Sequence, residues 1–348
     1  MKNIIYLFIF FSLSALANLE KKEFKLPLYK TILGETIVDL RVGYETYGQL
    51  NPERSNVILV THHFSGNSHA IGYWESIIGP GKALDTNKYF IISSDTLVNL
   101  GANDPQIITT GPKTINPMTK KPYGMKFPKI VLEDFVRVQR ELLNSLGLKK
   151  LFAVAGASSG AAQAISWGAY YPDDVPRVIA VVPPGLSLPP YVIALLNRWM
   201  APILLNSKQG LVESLKLITH SSVYFDWASP QKDMEKALDE RANIRAKTAD
   251  AESLLYTARA IQAFNIEDQA SKIKAEILFI PAEKDMIFPV ELSEDAAKKL
   301  CSLGKSAEVV VIKGRGGHLD GLLKVGDVSQ EIIQFLERKP GKNHCKTN

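Results

Sequence analysis

Short apolar runs alternate with longer amphipathic stretches from about residue 55 onward. Val57–Val60, Tyr89–Ile92, Leu151–Val154, Val178–Val182, Ile277–Ile280 and Val309–Ile312 are near-continuous apolar segments, the pattern of strands buried in a parallel sheet. Between them Leu132, Phe135, Val136, Leu142, Leu143 and Leu146 recur at helical spacing, and Gly147 stops that predicted helix. Phe24 to Tyr47 predicts one or two antiparallel strands. Together these elements predict an α/β protein with a doubly wound, mostly parallel sheet and an antiparallel edge.

Two stretches break the alternation. Residues 99 to 128 carry Gly101, Pro105, Gly111, Pro112, Pro117, Pro122, Gly124 and Pro128, with Ile107, Ile108 and Phe127 as buried-type residues. That composition predicts a long ordered loop rather than a linker. Residues 185 to 265 show helical apolar patterns (Ile193, Leu196, Trp199, Met200, Ile203, Leu204) and no convincing strand. They predict a helical cap, 185–265, inserted into a core formed by 18–184 and 266–348.

The first segment does not fit the core. Lys2 supplies a positive charge, Ile4 to Leu13 is almost wholly apolar, and Ala15-Leu16-Ala17 precedes polar Asn18. This predicts a signal peptide, residues 1–17, cleaved after Ala17, and an exported protein, periplasmic or extracellular. The apolar run is shorter than the ~20 residues of a spanning helix. In an oxidising compartment Cys301 and Cys345 can pair, which would fasten the C-terminal tail near residue 301. Neither cysteine has the strand-to-helix context of a nucleophile.

Composition adds exclusions. A chain of 348 residues with 46% hydrophobic and 22% charged residues is neither disordered nor low-complexity. A net charge of +5, without a basic stripe interleaved with aromatics, gives no reason to expect nucleic acid as a partner.

The chemistry is carried by Gly156-Ala157-Ser158-Ser159-Gly160, which follows a predicted strand and opens a helical run from Ala161 to Tyr170. Gly-x-Ser-x-Gly alone is weak. The strand before and helix after turn it into a nucleophile elbow with Ser158 at its apex. A serine hydroxyl needs a base, and an acid to orient that base, in the chain order serine, acid, histidine. His318, in Gly314-Arg315-Gly316-Gly317-His318 after the last strand, is the expected base; His220 and His344 are the other downstream histidines. Asp285, in the loop after Ile277–Ile280, is the expected acid, with Glu283 as the alternative. Oxyanion donors are expected at the backbone N–H groups of Ser159 and Phe64, the latter in the loop after Val57–Val60. His62, His63 and His69 share that loop but lack a carboxylate or cysteine at ligand spacing, so they predict scaffolding and no metal.

Read together, these residues resemble the homoserine O-acetyltransferase family of α/β-hydrolase-fold enzymes. The resemblance runs through His62-His63-Phe64-Ser65-Gly66 with Ser68-His69-Ala70, Trp74, Ile78-Gly79-Pro80-Gly81, Thr110-Gly111-Pro112, Lys121-Pro122-Tyr123-Gly124, the elbow with Gln163 and Trp167, and Ser253 to Ala260. It implies an acyl-Ser158 intermediate, with acyl-CoA as a possible co-substrate, an alcohol as acceptor and no bound cofactor. It maps nucleophile, acid and base onto Ser158, Asp285 and His318. In the family an aspartate directly after the histidine meets the acceptor amine, whereas here Leu319 intervenes and Asp320 follows. The family's cap arginine has only a loose positional match in Arg198. Arg198 and Asp320 are therefore the substrate contacts that the resemblance implies. The alternatives are an exported carboxylic-ester hydrolase, with water as acceptor, and a non-catalytic binding protein on the same fold. Expected partners are a small-molecule acyl donor or ester and a second copy of the chain in a homodimer.

Overall fold

A computed structural model describes residues 21–223, 231–339 and 344–346; the predicted signal peptide lies outside them. In chain order, β1 (Lys22–Lys30) and β2 (Thr36–Tyr47) form a hairpin, followed by β3 (Val57–Thr61) and the short helix α1 (Ala70–Trp74). A small pair, β4 (Ile78–Gly79) and β5 (Leu84–Asp85), precedes β6 (Phe90–Ser94). Then come α2 (Leu132–Ser145), β7 (Ala153–Ala157), α3 (Ser159–Tyr170) and β8 (Arg177–Val181). The helices α4 (Pro190–Leu205), α5 (Ser207–Ser221), α6 (Gln231–Ala246) and α7 (Ala251–Gln262) stand between β8 and β9 (Glu276–Ile280). The chain closes with α8 (Val290–Ser302), β10 (Ala307–Val309), α9 (Asp320–Leu323), α10 (Ser329–Glu337) and β11 (Cys345–Lys346).

The main sheet runs β1-β2-β6-β3-β7-β8-β9-β10-β11. β1 and β2 are antiparallel and every pairing from β6 to β11 is parallel, so this is a doubly wound α/β-hydrolase sheet. Both faces are covered, which is why its strands lack polar alternation. Phe135, Leu143, Trp167 and Phe279 fill one apolar layer. Trp74, Ile91, Ile179 and Phe335 fill the other.

Two elements sit away from their predicted positions. The central strand is Ala153–Ala157 rather than Leu151–Val154, because its small residues let β3 and α3 approach the crest where bulky ones could not. β10 is Ala307–Val309 and begins two residues before the predicted run; Val310 and Ile312 still donate to Phe279 and Pro281 carbonyls at 2.9 Å. At this edge Cys301 and Cys345 are joined by a disulfide, Cα atoms 5.9 Å apart, and β11 covers β10.

The long loop after β6 is ordered by its contacts with α7. Tyr256 donates its hydroxyl to the Phe127 carbonyl at 2.6 Å, and Thr257 donates to the Val98 carbonyl at 2.8 Å. Phe127 is buried, as its apolar character predicts, but Ile107 is half-buried and Ile108 is exposed. The anchor is thus the aromatic cluster Tyr123–Phe127–Tyr256 rather than the isoleucine pair.

Candidate active site

Ser158 stands between β7 and α3 with φ 57° and ψ −119°. This left-handed conformation is costly for a residue with a Cβ, about 1–3 kcal/mol, and holds only where its surroundings fix it. The neighbouring parallel strand β3, whose Thr61 pairs with Gly156, does that. A Cβ on Gly156 would lie 2.2 Å from Thr61 Oγ1, and one on Gly160 would lie 2.1 Å from the Thr61 carbonyl. The two glycines let β3 press against the elbow, and Thr61 Oγ1 then donates to the Gly160 carbonyl at 2.8 Å.

His318 Nε2 is 2.8 Å from Ser158 Oγ, and its Nδ1 is 2.7 Å from Asp285 Oδ2. Asp285 is buried, and its other oxygen accepts the backbone N–H groups of Ile287 and Phe288 at 2.8 and 2.9 Å. A carboxylate with both oxygens engaged has one orientation, so the imidazole has one too. Phe288 packs edge-on against the His318 ring at 5.4 Å. Glu283 instead faces Lys313 at 3.7 Å. His220 lies on α5 beside Asp239, 3.4 Å away, and His344 lies at the β11 edge, its backbone N–H on Ser306.

Phe64 and Ser159 line the same cavity as Ser158 and His318. The loop carrying Phe64 is rigidly braced. His62 is buried, its Nε2 accepts the Thr96 N–H at 3.0 Å, and its Nδ1 is 2.7 Å from the His63 carbonyl. Burial lowers the His62 pKa and keeps the ring neutral. His69 pairs with Glu45 at 3.0 Å. Among the described residues no group of three His, Cys, Asp or Glu is placed to hold a metal ion.

The cavity is about 400 Å³. One side is mostly apolar, with Val192, Leu196 and Trp199 from α4, Ile218 from α5 and Ile261 from α7, beside Ser222; Val182, at φ 42°, and Leu319 extend that surface. Among the described residues one guanidinium lines it, that of Arg245 on α6, whose Nη2 is buried and has no hydrogen-bond partner among them. Desolvation pushes its guanidinium down to about 10. Sequence reasoning missed this residue, since α6 carries no motif and several charged residues of equal standing. Arg198 is exposed on α4 and does not line the cavity. Asp320 also stays out of it: its buried carboxylate accepts the Gly316 N–H at 2.9 Å and fills the space that the missing Cβ of Gly314 leaves. The structure therefore brings together Ser158, His318, Asp285, Ser159 and Phe64, and leaves Arg198 and Asp320 outside the cavity.

The chain is similar to known proteins. Homoserine O-acetyltransferase of Methanococcus vannielii is 30% identical over 96% of this chain and 76% of its own length. The chain belongs to the homoserine O-acetyltransferase family. A family model described as serine aminopeptidase S33 also matches residues 128–314. Among solved structures, homoserine O-acetyltransferase from Bacillus anthracis is 31% identical with a TM-score of 0.87, covering 93% of this chain and 99% of that one. Esterase E22 is 41% identical with a TM-score of 0.86, covering 91% of this chain and 100% of that one. As a member of this family the protein is an acyl-transfer enzyme of the α/β-hydrolase superfamily, a chemistry that generally needs no bound cofactor.

Proposed function

We propose that Ser158 is the acylated nucleophile, His318 the general base and acid, Asp285 the group that orients and charge-stabilises the imidazole, and the Phe64 and Ser159 N–H groups the oxyanion donors. The observation that carries this reading is the unbroken chain Asp285–His318–Ser158, with contacts of 2.7 and 2.8 Å. Ser158 Oγ attacks the acyl carbonyl while His318 Nε2 takes its proton; the tetrahedral oxyanion collapses, and His318 returns the proton to the departing group. An incoming hydroxyl then gives its proton to His318 and attacks the acyl-serine, and the serine oxygen leaves reprotonated. The donor that family membership supports is an acyl-CoA or a simple ester, and the acceptor an alcohol. Arg245 suits a substrate that carries a negative charge into the apolar cavity, because a buried guanidinium gains most from a charged partner.

A second reading has water as acceptor. It is favoured by Leu319, the cavity-lining residue directly after His318, by the absence of Arg198 and Asp320 from the cavity, and by the 41% identity to esterase E22. Export, read from the segment ending at Ala17, would also separate the enzyme from a cytosolic acyl-CoA pool. Burst kinetics on the mature protein with an activated acetate ester test both. One acyl group per chain is expected in the burst, and none for Ser158→Ala; undiminished turnover in that variant would overturn the nucleophile. Turnover accelerated by homoserine or serine decides for transfer, and turnover indifferent to both decides for hydrolysis.

A further inference from the structure

The oxyanion loop contains a buried group that the reaction scheme does not use. His62 accepts the Thr96 N–H at Nε2, 3.0 Å away. A backbone N–H can only donate, so Nε2 carries no proton and the neutral ring must carry it on Nδ1. Nδ1–H therefore donates to the His63 carbonyl at 2.7 Å, and the Gly66 N–H donates to the same oxygen at 2.9 Å. That carbonyl belongs to the peptide unit whose N–H is the N–H of Phe64. In a trans peptide the C=O and N–H point in opposite directions, and no described peptide bond is cis. Two donors fixing the oxygen on one side hold the Phe64 N–H to the opposite side of the peptide plane, and Phe64 lines the cavity with Ser158 and Ser159. The clamp is itself anchored. Asn99 donates to the Gly66 carbonyl at 3.0 Å, and Asp95 accepts the Ser68 N–H at 2.7 Å, so the segment that follows β6 holds the C-terminal half of the loop.

We propose that His62 is a positioning residue for the oxyanion hole, its Nδ1–H fixing the His63–Phe64 peptide plane so that the Phe64 N–H meets the developing oxyanion. This rests on the reading of Phe64 as an oxyanion donor. It requires no contact between His62 and the substrate.

Two near-isosteric variants separate the ring nitrogens. His62→Asn keeps a donor at the Nδ1 position and gives up the Thr96 contact; His62→Gln keeps an acceptor for Thr96 and gives up the donor to His63. With an activated acetate ester, His62→Gln is expected to lose on the order of 100-fold in kcat, the scale of losing one oxyanion donor, with KM within about 3-fold. Affinity for a boronic acid that mimics the tetrahedral intermediate should fall in parallel. His62→Asn should stay within about 5-fold of the parent in both. Equal losses in the two variants, or losses confined to KM, would overturn the proposal. A measurement on the unaltered enzyme keeps the test independent of variant folding: nitrogen NMR should find the His62 proton on Nδ1, and boronate binding should move the Phe64 amide proton downfield. An Nε2–H tautomer or an unmoved Phe64 amide would sink it. Burst stoichiometry of one acyl group per chain in His62→Gln distinguishes this failure from failure of the Ser158 assignment.

Discussion

The floor and the roof of the cavity are built on opposite terms. On the floor, contributed by the ends of β3, β7 and β9 and the loop after β10, nearly every polar group is spoken for: Asp285 holds His318, Ile287 and Phe288, His62 uses both nitrogens, and Thr61 ties to Gly160. On the roof, contributed by α4 to α7, the lining is mostly aliphatic and aromatic, and Arg245 has a guanidinium nitrogen without a hydrogen-bond partner among the described residues. Phe64 and Trp199 meet edge-on at 5.9 Å where the two surfaces join. A saturated floor is pre-set for one reaction, since its donors need no rearrangement as charge develops. An unsaturated roof does not touch the bond being made. It is suited to choosing which molecule arrives.

The sharpest way to break that division is Asp285→Asn. The amide would present a donor where the floor needs an acceptor, and His318 would lose both its orientation and the charge that supports the imidazolium. A fall in kcat of about 10³–10⁴-fold is expected, the scale known for such a change in a serine triad, with equal loss on charged and neutral esters. A loss below about 10-fold would mean that the floor's order is not what drives the chemistry.

The floor was also the part that the sequence made readable. Ser158 directly follows β7, and Asp285 and His318 lie in the loops after β9 and β10, so the strand order places all three loops at one end of the parallel sheet. The elbow added glycines at 156 and 160, which the close approach of Thr61 at the end of β3 makes obligatory. The roof offers no such rule. Arg198 and Asp320 stand near the expected places in the chain, but one lies on the outer side of α4, and the other turns back into the space beside Gly314 and Gly316. Arg245 reaches the cavity because of how α6 packs on α5, a tertiary matter invisible in a polar helix. Even the centre of the sheet was misplaced by two residues, because Ala153–Ala157 is chosen for closeness rather than apolar bulk.

Arg245→Met sharpens the comparison at intermediate scale. A thioether restores the roof's apolar character and removes its charge. For a half-ester bearing a free carboxylate, kcat/KM should fall about 10–100-fold, in line with about 1.5–3 kcal/mol for a charged hydrogen bond. For a neutral acetate ester it should change less than about 3-fold. Parallel losses on both would move Arg245 from the roof's task to the floor's.

The smallest effect concerns His63, which lines the cavity beside the floor and packs edge-on against Tyr73 at 5.1 Å. Desolvation, with smaller contributions from His62, Arg245 and His318, pushes its imidazole down to about 3. In the unfolded chain the same ring takes a proton near pH ~6.5. Between those values the unfolded state binds the extra proton, so stability declines as pH falls from ~6.5 toward about 3 and is regained as pH rises. His63→Phe keeps an aromatic edge against Tyr73 and removes the titration. Its urea midpoint should drop less than that of the parent between pH 7.5 and pH 5, while the contribution of His62, whose pKa is lowered in the same direction, persists in both. Parallel declines in the two proteins would mean that His63 protonates freely in the folded state. The cavity would then be wet where the floor meets the roof.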